Sequence, residues 1–296
     1  MSASSSPSGV VVTGGASGIG RAVAAACVAR GDAVVLLDID AERARACADE
    51  IGAVAAMRCD VADPDSVAEA AEAAMAHLGD VSFVMHAAGV VLSGDTSLGT
   101  PLQHQRWVFD VNVMGTIHVL ATFVPRLVAQ SLTSTIVVTG SENSLGTPHI
   151  RAAAYTASKQ AVLGYADVVR RELPEHVRLK VLCPGIVATD LWRSSERRQG
   201  AYGGAAPAQV GAGAGMALGM PPEDVAAAVM RGLELDDFLI MSHDHVRELA
   251  RERYELIIGA VDRQVPDLGG RYALSRIAEL RRAATAQADA RGSSGS

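Results

Sequence analysis

The sequence predicts an α/β protein: a doubly wound parallel sheet of about seven strands in a single domain, followed by a helical C-terminal extension. Three observations predict it. Short apolar runs alternate with stretches of helical pattern, an order that gives right-handed βαβ units. A glycine-rich turn, residues 13–20 (TGGASGIG), joins the first apolar run to the first helical stretch. Finally, Gly14, Asp38, Asp60, Gly89, Ser141 and Gly185 all fall at carboxyl ends of expected strands, where an open α/β sheet forms its ligand crevice.

In chain order, strands are expected near 9–13, 33–38, 53–59, 81–86, 134–140, 177–183 and 237–241. Helices are expected near 18–30, 40–51, 64–78, 102–130, 152–173, 222–234 and 243–262. Residues 9–242 form the expected dinucleotide-binding and catalytic domain. Within it, 190–220 is rich in Gly and Ala and has no convincing period. Residues 243–284 form the expected extension, and 1–8 and 285–296 are read as flexible ends. His243 and His245 are read as part of a helix-start cap region, and no metal site is expected, because no further His or Cys accompanies them.

Composition narrows the function. The chain has 296 residues, 49% hydrophobic, with net charge −7. That balance offers no electrostatic footprint for nucleic acid or an anionic membrane surface. No apolar run approaches the ~20 residues of a membrane span, and no signal peptide precedes Val10. The four cysteines, Cys27, Cys47, Cys59 and Cys183, form no C-x-x-C and read as buried reduced thiols of a cytoplasmic protein.

The glycine turn carries the first chemistry. Gly14 lets the turn close, Gly18 lets backbone approach a pyrophosphate, and Gly20 lets the helix pack on the strand. The helix N-terminus then offers amide donors and a positive dipole end. Asp38 lies 18 residues past Gly20, near the ~20 expected for the acid that binds a ribose 2′-hydroxyl. No Arg or Lys lies between Thr13 and Gly20, so NAD is expected rather than NADP. Tyr155 and Lys159 stand four apart, one turn along a helix face. A cation beside a phenol favours the phenolate, so the pair is expected to lower a tyrosine pKa that is about 10 when unperturbed. A tyrosine so tuned exchanges protons with an alcohol or carbonyl oxygen.

Over about residues 9–240 these features resemble the short-chain dehydrogenase/reductase family. The glycine motif matches residues 13–20. Asp60-Val61 matches a pair that contacts adenine. Asn112, Ser141, Tyr155 and Lys159 match the catalytic set, and Pro184, Gly185 and Thr189 match a motif after the sixth strand. The resemblance implies a Rossmann-type fold and cofactor contacts at Gly14, Ser17, Gly18, Ile19, Gly20, Asp38, Asp60, Val61, Ala88, Gly89, Tyr155, Lys159, Pro184, Gly185, Ile186 and Thr189. It implies that Lys159 holds the nicotinamide ribose and that Asn112 positions a water relaying the proton outward. It also implies that 190–220 is the lid over the substrate, and a homodimer or homotetramer paired through the helices at 102–130 and 152–173. Three positions depart from the pattern: His86-Ala87 replaces Asn-Asn, Cys183 replaces an Asn, and Ser144 stands where a Gly is common. The expected function is an NAD-dependent interconversion of a secondary alcohol and a ketone. Val90, Val91, Leu92, Leu145, His149, Ile150, Leu191 and Trp192 are expected to line the substrate pocket, which favours an apolar or aromatic substrate. The alternative is a catalytically silent dinucleotide-binding sensor or structural subunit, against which the intact Asn, Ser, Tyr and Lys argue.

Overall fold

The computed structural model describes residues 8–92, 97–147, 149–208, 218–265, 279 and 282. The expectations for residues 1–7, for 209–217 of the lid and for most of the chain after 265 lie outside the described residues. Seven strands, β1 (Gly9–Thr13), β2 (Ala33–Asp38), β3 (Ala55–Arg58), β4 (Val81–His86), β5 (Ser134–Thr139), β6 (Val177–Cys183) and β7 (Leu239–Met241), pair in the order β3-β2-β1-β4-β5-β6-β7. Every pairing is parallel. The order reverses direction between β1 and β4, which opens the crevice at their carboxyl ends.

Successive strand residues face opposite sides of the sheet, and the two cores follow that alternation. Val11, Val35 and Leu37 pack beneath α3 (Pro64–Leu78) and the helices that follow β4 and β5, while Val10, Val12, Val34 and Leu36 pack beneath α1 (Gly18–Arg30) and α2 (Ala41–Ile51). On the second side α7 (Pro222–Glu234) adds Val225 and Val229. Burial of these side chains contributes about 1.5–3 kcal/mol each.

Strand β3 is shorter than the sequence suggests. Gly52 ends α2 in a left-handed conformation, and Ala53 N–H still bonds the Ala48 carbonyl. The chain is therefore held in the helix cap until Val54. Strand β7 likewise starts late, because Lys180 Nζ holds the Leu235 and Asp237 carbonyls in a turn, at 2.6 and 2.8 Å.

The long helix expected at 102–130 is interrupted. It consists of α4 (Leu102–Phe109), a π-helical turn (Asp110–Met114) and α5 (Gly115–Ala129). The Thr116 hydroxyl bonds the Asn112 carbonyl in this turn, at 2.7 Å. By length and composition the stretch Leu102–Ala129 is apolar enough to cross a membrane, contrary to the expectation from sequence. Half of it is buried in the fold, where Trp107, Val119, Phe123 and Leu127 join the core. The helix α6 (Ala153–Val169) ends earlier than the 173 expected, with Arg170 as its C-cap.

The chain divides into two compact units, Met1–Ala250 and Arg251–Ser296. Residues 243–250, which the sequence assigns to the extension, fall within the first unit. The last helix, α8 (Val246–Gln264), begins there and runs on into the second.

Candidate active site

The turn after β1 is built for close approach. Gly14 has φ +65°, and a Cβ there would stand 2.7 Å from the Ala88 nitrogen. At Gly20 a Cβ would lie 2.2 Å from the Gly14 carbonyl oxygen. Side chains at either place would push the turn off the sheet. Ser17 is the N-cap of α1, but its side chain makes no cap bond. The helix start, with Ser17, Gly18, Ile19 and Gly20 on the cleft wall, thus presents amides and a positive dipole end. These residues fit a pyrophosphate.

At the end of β2, Asp38 Oδ2 accepts the Ala16 N–H and Oδ1 accepts the Asp40 N–H, each at 3.1 Å. The glycine turn therefore fixes this carboxylate. Arg43, which the sequence reading did not single out, lines the same end of the cleft and pairs with Asp190 at 3.0 Å. Its signal was available: it lies five residues beyond Asp38, in the first turn of α2.

The first part of the expected lid is tied down by side-chain bonds. Gln199 Nε2 donates to both oxygens of Asp60, at 3.2 and 3.0 Å, and Trp107 Nε1 donates to Gln199 Oε1 at 2.9 Å. Tyr202 OH donates to Asp110 Oδ2 at 2.9 Å. Nothing local in the sequence marks Gln199; its partner is 139 residues away.

Ser141, Tyr155 and Lys159 share one wall of the cleft. Ser141 ends β5 and starts a short 3-10 turn (Glu142–Ser144). Its oxygen accepts the Asn143 N–H at 3.2 Å, and Asn143 Nδ2 donates to Thr156 Oγ1 at 2.8 Å. Ser144 is the coupling residue. Its hydroxyl receives the Ser141 N–H at 3.2 Å and donates to the Lys159 carbonyl at 2.8 Å, which ties the serine turn to α6. Lys159 Nζ donates to the Thr139 carbonyl at 2.7 Å and stands 5.8 Å from the centre of the Tyr155 ring.

The direction of the Tyr155 shift corrects the sequence expectation. Burial pushes the phenol pKa up; the Ser141 hydroxyl opposes this and the Glu142 carboxylate adds to it. The physical reason is the burial of the phenol itself, which disfavours the charged phenolate. Lys159 is buried too, and its own pKa is depressed to about 8.

Asn112 is buried at the π-helical turn. Its Oδ1 accepts the Val90 N–H at 2.8 Å, and its Nδ2 donates to the Val90 carbonyl and to Ser158 Oγ, each at 3.0 Å. The side chain thus holds the segment after β4, with both Nδ2 hydrogens used, and Asn112 does not line the cleft.

The three departures find roles. His86 Nδ1 bonds Thr13 Oγ1 at 2.7 Å, so it stitches β4 to β1. Its Nε2 has no partner, and burial drives its pKa down to about 3, which keeps the ring neutral. Cys183 is buried, and its thiol is pushed up to about 12, which leaves it unreactive. Ser144 is the coupling residue already described.

Every expected cofactor contact lines this one cleft except Ile186. The Ile186 side chain is exposed, and its carbonyl instead accepts bonds from Met220 N–H and His243 Nε2. Among the expected substrate-lining residues, Val90 and Leu191 do line the cleft, Ile150 is exposed, and His149 bonds Glu142. His243 and His245 stand at the start of the helix that begins at Val246, where the His245 carbonyl accepts the Glu248 N–H, and their rings bond Ile186, Gly185 and Glu142.

A family model described as short chain dehydrogenase matches residues 8–200. The 1-deoxy-11-beta-hydroxypentalenate dehydrogenase of Streptomyces avermitilis is 35% identical over 270 residues, covering 84% of this chain and 93% of that protein. A 2-dehydro-3-deoxy-L-rhamnonate dehydrogenase (NAD(+)) of a Sphingomonas species is 32% identical over 163 residues, covering 55% of this chain and 65% of that protein. A short chain dehydrogenase/reductase from Burkholderia phymatum, solved in complex with NAD, matches with a TM-score of 0.79 at 29% identity, covering 85% of this chain and 94% of its own.

Proposed function

The chain belongs to the short chain dehydrogenase family, and we propose that it is an NAD-dependent oxidoreductase interconverting a secondary alcohol and a ketone, with an apolar or aromatic substrate. The observation that carries this reading is the grouping of Ser141, Tyr155 and Lys159 on one wall of a cleft whose other end holds Asp38. Gly14, Ser17, Gly18, Ile19 and Gly20 would hold the pyrophosphate, Asp38 the adenosine ribose, and Asp60 and Val61 the adenine. Lys159 and the residues from Pro184 to Thr189 would hold the nicotinamide end.

When bound, NAD supplies a hydride acceptor on a positively charged ring. In the oxidative direction Tyr155, as phenolate, removes the hydroxyl proton of the alcohol. Lys159 stabilises that phenolate. Ser141 donates to the reacting oxygen, where charge changes in the transition state. In reduction Tyr155 returns the proton. Asn112 would position a water that relays the proton outward, accepted by its main-chain oxygen, because its side chain is turned to Val90 and Ser158. That oxygen has a second lone pair beyond the one used by Thr116.

The reading is tested by NADH formation with a panel of apolar and aromatic secondary alcohols. Alcohol-dependent reduction of NAD is expected. Tight NAD binding with no turnover of any alcohol or ketone would favour the silent sensor instead. We also place the protein in the cytoplasm, an assignment supported by its four buried, unpaired cysteines.

Assembly through α4–α5 and α6 is part of the same reading. Phe109, Met114 and Val128 on the first stretch and Tyr165 and Val168 on α6 are exposed. An apolar surface of this kind on two long helices suits a partner. A homodimer or homotetramer is expected by light scattering at micromolar concentration, and a fully active monomer of 30.6 kDa would refute it.

A further inference from the structure

Glu142 directly follows Ser141, is 3% exposed, and is not used by the mechanism above. Both of its carboxylate oxygens are taken by histidines from distant parts of the chain. His149 Nε2 lies 2.9 Å from Oε1, and His245 Nε2 lies 2.5 Å from Oε2. The Glu142 main chain is equally committed. Its N–H donates to the Pro184 carbonyl at 2.8 Å, and its carbonyl accepts the Leu145 and Gly146 N–H groups. One residue therefore joins the serine turn, the Pro184-Gly185 turn on the cleft wall, and the segment after β7.

That last segment is built to meet it. The Gly185 N–H donates to His243 Nδ1 and His243 Nε2 donates to the Ile186 carbonyl, each at 3.1 Å. The rings of His243 and His245 meet edge to face, 5.4 Å between centres. They fill the space above Gly185, where a Cβ would lie 2.8 Å from His245 Cε1 and 2.9 Å from His243 Cδ2. Further along, Leu249 packs on the serine turn, 3.0 Å from where a Cβ of Gly146 would stand.

A carboxylate this buried is unstable as an ion without donors. Burial alone would raise its pKa, but the bonds from His149 and His245 prevail and hold it below the usual range, while His149 is held above its own. The ion is thus kept in place by two donors, one of them from the last segment of the first unit. We propose that Glu142, clamped by His149 and His245, is a positioning residue for Ser141, and that residues 242–249 are thereby a working part of the catalytic apparatus. The proposal rests on the role given to Ser141 above. A shift of ~1 Å in a reacting group can cost about 10²-fold in rate, so a turn held on three sides matters to turnover.

The test compares two substitutions at one position. His245→Phe keeps a ring over Gly185 but has no donor; His245→Gln keeps an N–H near the place of Nε2. His245→Phe is expected to lower kcat about tenfold, the order for one lost hydrogen bond to a charged group. The KM for NAD should stay within about twofold, because the glycine turn is untouched and the phenyl ring still covers Gly185. His245→Gln should recover most of kcat. Peptides spanning 141–146 should exchange amide hydrogens faster in His245→Phe than in the unmodified protein. Glu142→Gln, which keeps the shape and removes the charge, should act in the same direction and serves if His245→Phe does not fold. Unchanged kcat in His245→Phe, equal damage in His245→Phe and His245→Gln, or unchanged exchange at 141–146 would each overturn the proposal. If the unmodified protein turns over no alcohol with NAD, the functional reading fails, and the exchange measurement alone then decides the clamp.

Discussion

Tyr155→Phe should lower turnover by about 10²-fold or more and leave cofactor affinity nearly unchanged. The ring keeps its place on α6, so its packing against the cleft wall survives. Only the oxygen that carries the proton is lost. Lys159→Ala should differ in kind, because its amine is proposed to support the phenolate and it lines the same cleft as Gly14 and Asp38. It should damage turnover and cofactor binding together. The pH profile follows from the same groups. Oxidation needs the deprotonated Tyr155, whose pKa is raised by burial, so oxidative turnover should climb as pH rises through the apparent pKa of the Tyr155–Lys159 pair. Reduction needs the protonated form and should favour lower pH. Lys159, at about 8, loses its charge before the raised Tyr155 ionises and should blunt the climb at its lower end. These profiles are read where a deuteride isotope effect shows that chemistry limits the rate. Near-normal activity in Tyr155→Phe, or a flat profile in both directions, would refute the assignment.

The parts of this molecule legible in the sequence are those set by local rules. The strand–glycine turn–helix order at residues 9–30 states its own geometry, because Gly14 and Gly20 sit where no Cβ fits. Asp38 was legible because the distance from the glycine turn to the end of β2 is fixed by one helix and one strand. Tyr155 and Lys159 were legible because helical spacing alone puts them on one face. The parallel pairing of the strands follows from the right-handed crossovers that helices between them make.

What escaped depends on contacts far apart in the chain. Gln199 reaches Asp60 across 139 residues, and His245 reaches Glu142 across 103. No periodicity records such pairs. The direction of the Tyr155 shift escaped for a related reason. The neighbouring cation is visible in the sequence, but the desolvation that outweighs it exists only after the chain has folded. The π-helical turn at Asp110–Met114 escaped because its apolar pattern is that of a continuous helix; the Thr116 bond to the Asn112 carbonyl and the close fit of Gly115 against Val61 become evident only in the packed structure.

Cofactor choice should be controlled by Asp38, and it should be reversible. The carboxylate repels a 2′-phosphate and accepts from a 2′-hydroxyl, so the unmodified protein should prefer NAD(H). Asp38→Ser removes the repulsion and frees the Ala16 and Asp40 N–H groups that the carboxylate now occupies. Arg43 then becomes the nearest source of positive charge identified on that wall. Its pair with Asp190 is more than a third exposed on both sides, so it is weak and opens readily. The ratio of kcat/KM for NADP to that for NAD should rise about 10- to 100-fold, the range for one or two hydrogen bonds to a charged group. Adding Arg43→Ala to Asp38→Ser should remove most of the gain in NADP turnover and leave NAD turnover close to that of Asp38→Ser alone. That pattern separates relief of repulsion, which needs only Asp38, from new attraction, which needs Arg43. If the unmodified protein uses NADP(H) as well as or better than NAD(H), the assignment of Asp38 is wrong, and Arg43 would then already serve the phosphate with its Asp190 pair broken.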